Sequence, residues 1–349
     1  INQGVVRSVA EFITPLGMAN SNARLLPPGT VMMALNGQGK TRGKVAILEI
    51  ETTCNQSLAG MVADGKRLLP TYLFYSLDAQ YQAIRNITGD DARNGLNLGI
   101  LRGLSIDLPP LDEQRRIAEV LRSVDEALDR ARQVADQCEQ VLQLELDSIV
   151  AKLLADGVAQ VKLGEVANVK GGKRLPKGSA YSDEQTDNPY IRVTDWRDYE
   201  IRTNDIRFIS DDIAQSIWRY TISKSDLFIS IAGSVGLVAA VPTELDGAYL
   251  TENAAKICIH DPKTLNATFL LAVLRSSALA EQISKHKGVG GGVPKLALFR
   301  IEDLDIPLPD LSVQAEIARS YQSVRASIEA ARTGVGQLEL TKKNVMSDL

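Results

Sequence analysis

A chain of 349 residues, 44% hydrophobic and 23% charged, is long enough for two soluble domains that each bury a core. No apolar run reaches the ~18 residues of a membrane span; the stretch 227–241 comes nearest and is broken by Ser230, Gly233, Ser234 and Gly236. Net charge is −4, but the excess acid lies in residues 109–156 (6 basic, 11 acidic), so the total does not exclude a nucleic-acid partner, which needs cations gathered on one face.

Cys54, Cys138 and Cys258 are scattered without a CxxC spacing, so a reducing, cytoplasmic compartment is expected and a zinc site is not. No signal peptide is evident, and the chain opens at Ile1 rather than Met, so its natural start is expected to lie upstream.

In chain order, residues 1–108 read as a mixed α/β (α+β) domain. Segments 29–35 and 44–50 are strand-like and flank a Gly/Lys loop. The stretch 71–84 has helical apolar spacing with Pro70 at its start, and a loop with Gly89, Asp90, Asp91, Asn94 and Gly95 follows. Residues 157–308 repeat that order. Phe12-Ile13 answers Phe208-Ile209 and segment 31–35 answers 227–231, both at an offset of 196, while 71–77 answers 268–274 at 197. Ile1 then falls opposite Arg197, so the 40 residues 157–196 have no counterpart in the first domain, either absent from the chain or hidden by the numbering.

A sharper repeat closes each domain. Residues 102–132 and 302–332 align without a gap at 12 identities in 31, among them Leu108/Leu308, Pro109/Pro309, Gln114/Gln314 and Ala118/Ala318. Such duplication makes two similar units the first architectural expectation. Pro109-Pro110 and Pro309 cannot sit inside a helix, so a helix should start just beyond each, with Asp112 and Ser312 as caps. Apolar residues then recur at spacings of three and four: Ile117, Leu121, Val124, Leu128, Ala131, Ala135, Cys138, Leu142 and Ile149 in the first helix. The second has Ile317, Tyr321, Val324, Ile328, Ala331, Val335, Leu338, Val345 and Leu349. That pattern is a coiled-coil seam. Gly334 and Gly336 predict either a bend or frayed end or a close helix crossing, and Lys342 interrupts the seam.

The expected segmentation is domain 1–108, helix 109–156, domain 157–308 and helix 309–349. Antiparallel pairing of the helices would give a bar with one domain at each end and an approximate internal twofold axis. Such a bar suits duplex DNA, which repeats every ~34 Å.

Cations for phosphate contact are expected from Lys40, Arg42 and Lys44 in the first domain. In the second they come from Lys173, Arg174 and Lys177, beside glycines that let backbone approach phosphate closely. Lys285, His286 and Lys287 precede a triple-glycine run. Arg192, Arg197, Arg202 and Arg207 lie near Trp196 and Tyr199; arginine suits guanine readout, although some must pair with Asp195, Asp198 and Asp205. Arg219 completes the set of DNA-binding candidates.

Other chemistry is poorly supplied. Ala34-Leu-Asn-Gly-Gln-Gly-Lys-Thr nearly spells a phosphate-binding loop, but Ala34 stands where glycine is required and a strand-like run, not a helix, follows. His260 and His286 are too isolated for a metal site, and Asp90-Asp91 and Asp211-Asp212 fall in turn-rich stretches as solvated carboxylates. No catalytic residue and no metal ligand is expected.

Leu108-Pro-Pro-Leu-Asp-Glu-Gln-Arg-Arg-Ile-Ala closely resembles the helix-opening motif of specificity subunits of type I restriction–modification systems. Ile306-Pro-Leu-Pro-Asp-Leu-Ser-Val-Gln-Ala-Glu-Ile-Ala is its second copy, with Val313 in place of the usual Glu. Val161-Lys-Leu-Gly-Glu-Val, Gly171-Gly-Lys, Pro189-Tyr-Ile-Arg-Val and Ser225-Asp-Leu-Phe-Ile-Ser resemble the family's target-recognition domain. The resemblance implies two target-recognition domains that read a split double-stranded DNA site, with the helices setting the gap between half-sites. It implies two modification subunits that methylate adenine N6 with S-adenosylmethionine, and restriction subunits that can join them. It also implies a chain with no active site or cofactor of its own, consistent with the lack of an Asn/Asp-Pro-Pro-Tyr/Phe methyltransferase motif. The competing readings are a coiled-coil scaffold that never meets DNA and, more remotely, a P-loop nucleotide-binding protein.

Overall fold

The computed structural model describes residues 1–2, 4–37, 40–88, 95–285 and 295–347. Asp90, Asp91, His286, Lys287 with the glycine run after it, and Leu349 lie outside the described residues.

In chain order the elements begin with β1 (Val5–Val6), α1 (Pro15–Ala19), β2 (Val31–Ala34), β3 (Val45–Leu48) and β4 (Leu58–Met61). Then come α2 (Pro70–Ala79), α3 (Tyr81–Asn86), α4 (Leu98–Arg102) and the long α5 (Leu111–Ala155). Next are β5 (Gln160–Lys162), α6 (Leu163–Val166), β6 (Ala167–Gly171), β7 (Pro189–Ile191), β8 (Trp196–Arg197), β9 (Glu200–Ile201), β10 (Arg207–Phe208) and α7 (Asp211–Ser216). They are followed by β11 (Leu227–Ser230), β12 (Val238–Ala240), β13 (Tyr249–Leu250), β14 (Ala254–Ile259) and α8 (Ala267–Leu274). The chain closes with α9 (Ser277–Lys285), α10 (Leu298–Glu302), β15 (Asp305–Pro307) and the long α11 (Leu311–Ser347).

Two units result: residues 1–134 with 331–349, and residues 135–330. Each long helix is thus divided between the units.

The first unit is built on a four-stranded sheet in the order β1-β3-β2-β4, with β1 parallel to β3 and the remaining pairs antiparallel. The second has β12-β11-β14-β6, antiparallel throughout. The offset of 196 carries β2 onto β11, so the shared kernel is β3-β2-β4 and β12-β11-β14. These central strands are buried on both faces, which is why they read as continuous apolar runs instead of alternating ones. The second unit adds a sheet β10-β7-β13, the hairpin β8–β9 and a ladder between β5 and β15. β5, β6 and β7 have no counterpart among the described residues of the first unit; all three lie within 157–196, the stretch the sequence leaves unmatched. For the same reason residues 105–107, equivalent to β15, form no strand.

The predicted helix 71–84 exists but breaks at Gln80 into α2 and α3. Phe12 and Phe208 are aligned in sequence yet differ in structure, since Phe208 lies in β10 while Phe12 is in an irregular segment and exposed.

Within each unit α5 and α11 run antiparallel. In the second, Ser320 donates to Glu145 at 2.9 Å and Arg325 to Glu139 at 2.9 Å. In the first, Arg132 meets Glu339 at 2.6 Å and Asp125 meets Lys342 at 2.8 Å. The predicted seam faces inward: Leu121, Leu128, Tyr321 and Ile328 are buried, and Ile117, Val124, Ile317 and Val324 are half-buried. The apolar face is wider than a coiled-coil stripe, however. Leu142, Leu146, Val150 and Leu153 join Phe269, Leu270 and Val273 of α8 in one core, because this part of α5 packs against the domain as well as against α11.

The caps need correcting. The helices begin at Leu111 and Leu311, and the amides of Gln114 and Gln314 bond to the carbonyls of Pro110 and Asp310. Asp112 and Ser312 therefore sit inside the first turn. α11 also runs unbroken through Gly334 and Gly336, and a methyl group at either would meet no atom within 4 Å, so neither glycine serves a close crossing. No helix among the described residues is long and apolar enough to cross a membrane.

Candidate nucleic-acid interface

In the second unit the basic loop after β6 is anchored by its glycine. A Cβ on Gly172 would stand 2.1 Å from the Thr251 carbonyl oxygen, so only glycine allows the loop to cross this backbone. The close approach that this glycine makes is to the chain's own backbone. Amides of Gly172 and Lys173 bond to Ala254 and Leu250, and the Tyr190 hydroxyl on β7 donates to the Lys173 carbonyl at 2.7 Å. Burial pushes the Tyr190 phenol up to about 12, so it remains a neutral donor.

The loop thereby forms one wall of an open cleft of about 710 Å³ that also takes in Tyr181, Tyr190, Arg192, Thr194 and Asn253. Arg174 and Lys177 stand exposed on its rim. Arg174 bonds Glu252 at 2.6 Å. Burial pushes the Glu252 carboxyl up, but hydrogen bonds from Arg174, its own amide and Thr251 outweigh this and hold it below the usual range. Lys173 places its ammonium 5.6 Å from the Tyr220 ring, and the adjacent Arg219 guanidinium stacks 4.9 Å from Trp218, which is 61% exposed. Lys173 thus stands beside Tyr220, and Arg174 and Lys177 stand beside the part-exposed Tyr181, a composition suited to phosphate contact plus base stacking.

Not every candidate arginine is available. Arg192 folds onto Asp195, whose side chain is only 2% exposed, and donates to the Asp205 carbonyl at 2.9 Å. Arg202 lies within 3.4–3.8 Å of Asp198, Glu200 and Glu329, the last on α11, so it ties the hairpin to the helix. Arg197 and Arg207 remain exposed. Lys285 pairs with Glu281 one turn earlier on α9.

In the first unit the loop between β2 and β3 is a hairpin connection, with Met33 opposite Val45. It leads into a strand, so it lacks the helix N-terminus a phosphate-binding loop requires. Lys40 is exposed, while Lys44 is half-buried with its ammonium 4.4 Å from the Tyr81 ring. Arg42 is only 5% exposed and is corrected as a phosphate contact: Gly43, at φ +82°, turns the chain back into the sheet and Arg42 inward with it.

Among the described residues no group of three or more His, Cys, Asp or Glu side chains could hold a metal ion. Asp211 and Asp212 lie exposed in the first turn of α7, where helix polarity favours them, and Asn188 donates to Asp211 at 2.7 Å. Sequence reasoning missed Trp218, Tyr181 and Tyr190. The run Trp218-Arg219-Tyr220 carried a signal, and Tyr181 follows the basic loop directly in sequence, but Tyr190 becomes its partner only through β7.

A family model described as type I restriction modification DNA specificity domain matches residues 1–139 and 155–335. The type I restriction enzyme MjaVIII specificity subunit of Methanocaldococcus jannaschii is 23% identical over 299 residues, covering 79% of this chain and 68% of that protein. The putative type I restriction enzyme MjaX specificity subunit of the same organism is 26% identical over 337 residues, covering 87% and 73%. The crystal structure of a type I restriction–modification S subunit from M. genitalium superposes with a TM-score of 0.58 at 16% identity, covering 93% of this chain and 83% of that one.

Proposed function

Because this chain belongs to the type I restriction–modification DNA specificity family, we propose that it reads a bipartite double-stranded DNA site, one half-site per unit. In this reading α5 and α11 also dock two modification subunits, which bring S-adenosylmethionine and all the chemistry of adenine methylation; restriction subunits join the same assembly. The chain itself positions DNA and contributes no reacting group.

The observation that supports this reading best is the open cleft of the second unit, with Arg174 and Lys177 exposed on its rim and Tyr181 and Arg192 in its wall. A scaffold confined to protein partners gives no reason for Arg174 and Lys177 to stand exposed on the rim of a cleft lined by Tyr181.

Methylome sequencing of cells with and without this chain tests it. The expected result is a methylated motif of two short blocks separated by unspecified bases, present only with the chain. Substituting Trp218 and Arg219 by Ala should relax or abolish one block and leave the other unchanged. Methylation that does not depend on the chain, or a contiguous motif, would refute the proposal.

A further inference from the structure

In each unit a polar layer interrupts the apolar packing at the same place in the repeat. In the first, Asp78 in the last turn of α2 and Asp125 on α5 both meet Lys342 of α11, at 3.6 and 2.8 Å. The Tyr75 hydroxyl donates to Asp125 at 3.0 Å, with the same ammonium 5.7 Å from its ring. In the second, Arg275 at the end of α8 and Arg325 on α11 both meet Glu139 of α5, Arg325 at 2.9 Å. Arg275 also donates to the Tyr321 hydroxyl at 2.7 Å and stacks 3.9 Å from the Tyr199 ring.

Asp78 and Arg275 are equivalent at the offset of 197, and Asp125 and Arg325 at 200. The two layers therefore carry opposite charges at matching positions. The answering position on the other long helix differs as well: Lys342 in the first unit corresponds to Leu142, a core residue of the second. Position 139/339 is Glu in both helices, and Glu339 is held by Arg132.

We infer that these layers are a pairing code, by which the halves 1–156 and 157–349 of the chain recognise each other and reject a second copy of themselves. The frames are similar enough that a half could otherwise dock with an identical half. Two first halves would set Asp78 and Asp125 against Leu142, leaving two partly buried carboxylates without their cation. Two second halves would set Lys342 beside Arg275 and Arg325, three cations around Glu339. Removing one partner from a buried ion pair destabilises strongly, and charge placed at a helix seam directs partner choice. Position 342 decides the outcome: lysine satisfies the first layer, and only an apolar residue suits the second.

The test expresses the whole chain as two co-produced polypeptides divided after Asp156, and sorts the resulting pairs by native mass spectrometry. Unlike pairs should outnumber like pairs by at least about tenfold. Lys342→Leu should admit pairs of second halves, because the layer then reproduces two arginines, a glutamate and a leucine. Lys342→Arg should keep the selectivity. Asp78→Asn with Asp125→Asn should admit pairs of first halves, which keeps the test open should Lys342→Leu fold poorly. Like pairs of the unaltered halves at statistical abundance, no association between the halves, or unchanged selectivity in both altered forms would overturn the inference.

Discussion

Arg192 shows how burial separates a basic residue committed to an internal ion pair from one left exposed on the cleft rim. It sits on the cleft, yet Asp195 is almost wholly buried and has Arg192 as its salt-bridge partner. Replacing Arg192 by Ala strands that carboxylate and should lower stability by about 2–3 kcal/mol, since breaking a buried pair costs more than forming it gains; denaturant unfolding measures this. Lys177 has the opposite profile, exposed on the rim. Lys177→Ala should leave unfolding unchanged, weaken DNA binding across sequences and reduce the slope of log affinity against log salt by about 0.9 if it neutralises one phosphate. Sequence could not separate the two, because pairing depends on how far the Asp195 side chain is buried.

At the scale of elements, Gln114 and Gln314 are the clearest case of a repeated residue whose role only structure reveals. Both are fully buried at the start of the long helices. Gln114 accepts from the Leu69 amide and donates to the carbonyls of Arg67 and Pro109. Gln314 accepts from Asn266 and donates to Thr264 and Pro309. Each glutamine thus satisfies three backbone groups and fixes the helix start against the chain entering α2 or α8. Gln314→Leu fills a similar volume but leaves those groups unpaired; at roughly 1–3 kcal/mol per buried polar group, a loss of at least about 3 kcal/mol is expected in thermal unfolding. The identity of the pair was visible in the repeat, but a glutamine in a polar run offers no pattern for three backbone partners. Conversely, Gly334 and Gly336 line open space inside a continuous helix. Changing either to Ala should stabilise by about 1 kcal/mol, readable as a higher melting temperature.

At the scale of the molecule, duplication was legible from sequence because it needs only identity at a fixed offset. The strand kernel followed from apolar runs, and the antiparallel helices from the seam. What sequence withheld arises where the copies diverge. Leu142 and Lys342 looked like a good seam position and a poor one, when each matches the charge of its own unit. The candidate interface was half legible: the basic loop around Lys173 stands out in sequence, whereas Tyr190, 17 residues away, and Tyr220 meet it only through the fold.

The ladder between β5 and β15 has a consequence for how this molecule can change. Val161 lies opposite Ile306, and flanking amides of Leu163 and Leu308 bond to Leu304 and Ala159. The polypeptide thus departs for the second domain and comes back side by side, through three paired residues. The block between Lys162 and Asp305 enters and leaves at one footing, but the helices hold it elsewhere too: α8 packs on α5, and Arg275 bonds Glu139 and Tyr321, so any block exchanged here has to bring those contacts with it.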